Sequence, residues 1–149
     1  MMKCVVPELY DSITREKVDL TPRKAHKEDA GFDLFTPSSF KIEGGQIAQV
    51  DTGVRVQIPD GYVGLILNKS GLNFRANVES STGVIDAGYT GTICVKLKNL
   101  GGETKKFNAG DKISQLVIVQ LHPDNKMEVV DELPGTARGN GGFGSTGDR

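Results

Sequence analysis

The sequence predicts an all-β fold, and three observations carry that expectation. Val50, Thr52, Val54, Val56 and Ile58 alternate with Asp51, Gly53, Arg55 and Gln57, while Ile93, Val95 and Leu97 alternate with Thr92, Cys94, Lys96 and Lys98. A period of two belongs to strands with one buried face and one wet face. Between such runs stand Gly44-Gly45, Pro59-Asp60-Gly61, Gly101-Gly102, Asn108-Ala109-Gly110-Asp111 and His122-Pro123-Asp124-Asn125, all of them turn-formers. Only one segment, starting near Leu72, reads as a helix, and it is short. Many short strands with regular turn signals point to a sandwich, jelly roll or barrel.

Taken in order, Val50 to Ile58 is the first well-marked strand and Thr92 to Lys98 the second. Ile113 to Leu121 is almost continuously apolar, broken by Ser114, Gln115 and Gln120, and is expected to be buried on both faces. Arg138 to Arg149 differs in kind, with five glycines and one aromatic, Phe143. Such a stretch cannot bury enough apolar area to offset its ordering entropy alone. It reads equally as a disordered terminus or as a strap that closes over a ligand.

A chain of 149 residues is one domain by length, with 37% hydrophobic and 25% charged residues. A formal net charge of −1 supplies no basic field to recruit nucleic acid or an anionic membrane, so neither is an expected partner. An anionic ligand would need a local pocket of donors. Met1 to Pro7 leads into polar sequence, unlike a signal peptide, and no apolar run approaches the roughly 20 residues of a membrane span. Cys4 and Cys94 make no disulfide framework, which suits a reducing cytoplasm. His26 and His122 stand apart from any zinc-like spacing.

Five segments combine polar groups with glycines beyond the needs of strands. Asp33 lies in Ala30-Gly31-Phe32-Asp33-Leu34, as a strand-end cap or a functional carboxylate. Asn68-Lys69-Ser70-Gly71-Leu72 sets a cation and a hydroxyl before a helix start, where an ordinary N-cap competes with an anion site. Gly83-Val84-Ile85-Asp86-Ala87-Gly88-Tyr89-Thr90-Gly91 offers a carboxylate and an aromatic ring three apart in a turn. Gly110-Asp111-Lys112-Ile113-Ser114-Gln115-Leu116 carries a glutamine that needs partners if buried. The fifth is the terminal stretch.

Together and in this order, these segments resemble the five motifs of the trimeric dUTPase family, from about Ala30 to Gly147. The resemblance implies a jelly-roll-like β-barrel over residues 1–136 and a flexible tail over 137–149 that closes the active site. It implies hydrolysis of dUTP to dUMP and pyrophosphate by a homotrimer with shared sites, keeping uracil out of DNA and supplying dUMP for thymidylate synthesis. Asp86 would be the general base that activates a water, and Tyr89 would pack on the deoxyribose and bar a 2′-hydroxyl. Gly83 and Cys94 mark the hairpin that reads uracil. Lys69, Ser70, Gly71 and Gln115 would meet the phosphates. Asp33 would hold waters of a Mg²⁺ carried mainly by those phosphates. Phe143 would stack on uracil while Arg138, Gly144, Ser145 and Thr146 close on the phosphate chain.

Lys69 departs from the arginine usual before Ser-Gly, keeping the charge but losing the bidentate fork. A dCTP deaminase of the same fold is the nearest enzyme alternative. Its pattern has Arg-Ser-Ser and a catalytic glutamate, whereas this chain has Lys69-Ser70-Gly71 and only Glu79 nearby. A dUTPase-like regulatory binding protein is the alternative of another class; intact Asp86, Tyr89 and Phe143 argue against a dead scaffold.

Overall fold

The computed structural model describes residues 2–124, 126–139 and 141. Its regular structure is almost wholly strand: β1 (Lys3–Val5), β2 (Gly31–Phe35), β3 (Phe40–Ile42), β4 (Ile47–Asp51), β5 (Arg55–Gln57), β6 (Tyr62–Leu67), β7 (Val78–Ser80), β8 (Gly83–Ile85), β9 (Cys94–Asn99), β10 (Lys105–Phe107) and β11 (Lys112–Gln120). A four-stranded sheet runs β2-β11-β6-β8 and a three-stranded one β4-β9-β7, with β1-β5 and β10-β3 as two-stranded ribbons. Every pairing is antiparallel.

The alternating residues fill the core as the period demands. Ile93, Val95 and Leu97 are buried and Cys94, Lys96 and Lys98 exposed, and the other face of the core is closed by Leu34, Ile66, Ile113 and Leu116. Burying each such aliphatic side chain is worth about 1.5–3 kcal/mol, which makes this layer the main source of stability.

Val50 to Ile58 keeps its alternation of burial but is not one strand. It pairs with β9 up to Asp51 and with β1 from Arg55. Between them Gly53 adopts φ +68°, and Pro7 packs where a Cβ on Gly53 would stand, 2.8 Å from its Cγ. The Thr52 hydroxyl donates to Ile93 O at 2.8 Å and so satisfies the buried kink. Alternation reports burial, and the chain changes ladder without changing which side faces in.

The strand β11 also corrects an expectation. Ile113, Ser114 and Leu116 are buried, but Val119, Gln120 and Leu121 are exposed, so burial on both faces holds only for its first half. The helix expected near Leu72 is a single π-helical turn, Gly71–Arg75, closed when the Ala76 N–H donates to Leu72 O. From Leu121 onward the described residues hold no strand or helix.

Candidate active site

Two patches collect the candidate residues. The first surrounds the turn after β8. The Tyr89 N–H donates to Asp86 O at 3.0 Å and fixes this turn, which leaves the Asp86 side chain exposed at the edge of a 270 Å³ cleft. Gly83, Ile85, Ile66, Tyr89, Thr92 and Cys94 are among its walls. The Tyr89 hydroxyl donates to Thr92 O at 2.8 Å and holds the ring across the turn. Among the described residues β8 is an edge strand that pairs only with β6, so the outer edge of its backbone carries amides and carbonyls outside any ladder of those residues. Cys94, at the start of β9, pairs with Asp51 but lies beyond the β7 ladder, which covers Leu97 to Asn99. Unladdered backbone donors and acceptors in a cleft can read the edge of a flat heterocycle.

The second patch lies where β6 ends beside the start of β11. Ser70 stands at the N-cap position of the turn but is already helical, at φ −54° and ψ −42°, and its side chain makes no cap hydrogen bond. Gly71 is exposed, and a side chain there would meet nothing within 4 Å, so the approach to Ser70 is open. Gln115 is half-buried, and its Nε2 donates to Asn68 O at 2.7 Å, which supplies the partner its position required. A Cβ on Gly31 would fall 2.4 Å from Gln115 Oε1, so a larger residue there would push the Gln115 amide aside.

Asp33 is no strand-end cap. It sits mid-strand, 4% exposed, with Lys69 Nζ on Oδ1 and Lys112 Nζ on Oδ2 at 2.8 Å. Burial pushes its carboxyl up, but the Lys112 and Lys69 ammonium groups outweigh it and hold the group below the ordinary carboxylate value. Lys112 and Asn68 were not singled out by sequence reasoning as site residues. Lys112 lies inside a recognised segment, but nothing in a linear pattern pairs it with Asp33.

One chain does not bring the two patches together. Ile85 lies opposite Gly64 and Gly83 opposite Ile66, so Asp86 leaves the ladder at the Gly64 end while Lys69 and Ser70 follow Leu67. Three residues of strand, roughly 10 Å, separate those ends. None of Lys69, Ser70, Gln115 and Asp33 lines the Asp86 cleft. Arg138 is exposed, its Nε donating to Gly141 O at 3.0 Å. Phe143, Gly144, Ser145 and Thr146 lie outside the described residues.

An all-β chain with an exposed carboxylate at a cleft beside an edge strand, and a separate patch that holds two lysines, has the parts of a phosphoanhydride hydrolase. Its sequence fits one family. The dUTPase family profile matches residues 17–147. The chain is 46% identical to the deoxyuridine 5′-triphosphate nucleotidohydrolase of Thermobifida fusca (strain YX), over 85% of this chain and 72% of that one. It is 44% identical to the protein of that description from Mycobacterium avium (strain 104), over 85% and 86%. Among solved structures, a mutant dUTPase of Staphylococcus bacteriophage 80alpha with dUpNHpp superposes at TM-score 0.82, with 28% identity over 99% of this chain and 98% of that one. A mutant dUTPase from phage phi11 of S. aureus, in which a structural Mg(II) ion is coordinated, gives TM-score 0.72 and 30% identity over 89% and 97%. The chain belongs to the dUTPase family, and its fold is the dUTPase fold.

Proposed function

We propose that this chain hydrolyses dUTP to dUMP and pyrophosphate, with Asp86 as the general base. The observation that carries the reading is the cleft that sets the exposed Asp86 carboxylate beside the unladdered edge of β8. Asp86 takes a proton from a water aligned with the α-phosphorus, the water oxygen bonds to phosphorus, and the bond to the bridging oxygen of pyrophosphate breaks. Such chemistry needs positioning and charge neutralisation more than covalent help. Backbone groups of Gly83 to Ile85 and of Cys94 pair with uracil. Cytosine presents the opposite donor and acceptor and would leave buried groups unpaired. Tyr89 packs on the deoxyribose and bars a 2′-hydroxyl.

Lys69, Ser70, Gly71 and Gln115 hold the phosphate chain. Among the described residues no three His, Cys, Asp or Glu side chains converge as a metal cage. This donor set fits Mg²⁺ carried by the phosphates, with Asp33 reaching its waters through lone pairs that the lysines leave free. The ion, when bound, spreads the charge of the phosphate oxygens and of the departing pyrophosphate.

A homotrimer reconciles two patches that one chain keeps apart, since Asp86 of one subunit would face Lys69 and Ser70 of another. Exposed Met127, Val129 and Leu133, at 97%, 98% and 83%, give a neighbour apolar surface to cover. So does a 420 Å³ hollow between β1, β5 and the far side of the Tyr89 turn. The tail, with Arg138, Phe143, Gly144, Ser145 and Thr146, closes the assembled site. Pyrophosphate release measured across dUTP, dCTP, dTTP and UTP tests the reading. A marked preference for dUTP is expected, and ammonia release from dCTP would transfer the assignment to the deaminase.

A further inference from the structure

We propose that Asp51 is a positioning residue for sugar selection: through the Thr92 hydroxyl it fixes the peptide to which the Tyr89 ring is tied. The inference rests on the reading of Tyr89 as the wall against a 2′-hydroxyl. Asp51 does not line the Asp86 cleft, whereas Thr92 and Tyr89 both do. It ends β4 opposite Cys94, so Thr92 is its diagonal neighbour on the outward face. An exposed carboxylate is ordinarily left to water, but both oxygens of this one are committed. Oδ1 accepts the Gly53 N–H at 2.8 Å, and Oδ2 accepts the Thr92 hydroxyl at 3.0 Å.

The peptide between Thr92 and Ile93 is one rigid plane. Its carbonyl accepts the Tyr89 hydroxyl at 2.8 Å, and its N–H donates to Val54 O at 2.8 Å. The Ile93 end is anchored, because that side chain is wholly buried and its own carbonyl accepts both the N–H and the hydroxyl of Thr52. The Thr92 end is only half-buried, and the Asp51 carboxylate grips its side chain. A hydrogen bond to an ionised acceptor is roughly twice as strong as a neutral one. The Tyr89 ring is 43% exposed, so the bond at its tip sets its tilt over Gly91. A plane that swings when Asp51 is lost carries the ring with it. A wall that tells substrates apart by one oxygen atom is sensitive to a displacement of about 1 Å.

Tyrosine-ring NMR spectra of the intact protein without nucleotide read the position of Tyr89, whatever the substrate proves to be. The chain has three tyrosines, Tyr10, Tyr62 and Tyr89, so Tyr89→Phe assigns the ring in question. Asp51→Ala should move the Tyr89 signals and leave those of Tyr10 and Tyr62 in place. It should also narrow the dUTP/UTP ratio of kcat/KM by roughly threefold or more, with kcat on dUTP largely kept. Thr92→Val removes the hydroxyl but spares the bond between Asp51 and Gly53, and should act in the same way. Thr92→Ser, which keeps the hydroxyl, should hold the parent ratio. Adding Asp51→Ala to Thr92→Val should change the ratio by less than about twofold. Stationary Tyr89 signals in Asp51→Ala, or full additivity of the two substitutions, would overturn the positioning role. So would signals that move at all three tyrosines while both nucleotides lose alike. Moved Tyr89 signals with an unchanged ratio would overturn the part in sugar selection. Tyr89→Ala tells the two failures apart: a narrowed ratio there leaves the wall reading standing, and an unchanged one removes it as well.

Discussion

Gly91 lies directly under the ring of Tyr89: a methyl group there would stand 2.4 Å from the Tyr89 hydroxyl oxygen and 2.6 Å from Cζ. The glycine lets the ring fold across its own turn and donate to Thr92 O. If Tyr89 is the wall against a 2′-hydroxyl, Gly91 determines where that wall stands. Tyr89→Ala should therefore narrow the preference for dUTP over UTP, and Gly91→Ala should do so in part by pushing the ring aside. The measurement is the ratio of kcat/KM for the two nucleotides. An unchanged ratio in both variants would place sugar discrimination elsewhere.

Asp86→Asn should lower kcat by roughly 10²–10⁴-fold, the span of a lost general base, while dUTP affinity is largely kept. The side chain is exposed and makes no core contact, so the fold should survive. Single-turnover kinetics alongside equilibrium binding would separate the two effects. Near-normal turnover by a folded variant removes Asp86 from the role.

Mixed oligomers test the shared site. One variant carries Asp86→Asn with its tail intact, and the other keeps Asp86 but is truncated after Thr136. Each alone should be nearly inactive. Assembled at random in a closed ring, a good Asp86 and a good tail from different chains meet at roughly a quarter of sites. About that share of activity should return on co-expression. Verified mixed assemblies that recover nothing would sink the shared site.

The Asp33 carboxyl is held below its ordinary value of 3.8. A depressed folded value means stability that is fully present above the unfolded value and lost as pH falls through the folded one. Asp33→Asn should therefore cost about 1–3 kcal/mol at neutral pH, with the gap to the parent shrinking below about pH 4. Urea titrations at several pH values would read this. A gap that stays constant into acid would show that the ionised carboxylate is not its source.

Alternation along Val50–Ile58 and Thr92–Lys98 determined which side chains enter the core, because burial has the period of the pleat whatever the ladder does. The glycine-flanked turns were equally plain, and so were the five segments, since each needs particular residues at fixed local spacing. Tertiary structure alone decided what meets across strands. The bulge between Lys112 and Ser114, which brings Lys112 onto the Asp33 face, depends on the register of β11 against β2, which no local pattern encodes. The split of 50–58 between two ladders depends on Pro7, more than 40 residues away in sequence, packing on Gly53. The distance between Asp86 and the Lys69–Ser70 patch follows from the pairing of β8 with β6. These are non-local relations, fixed only when the sheets close and each buried polar group finds its partner.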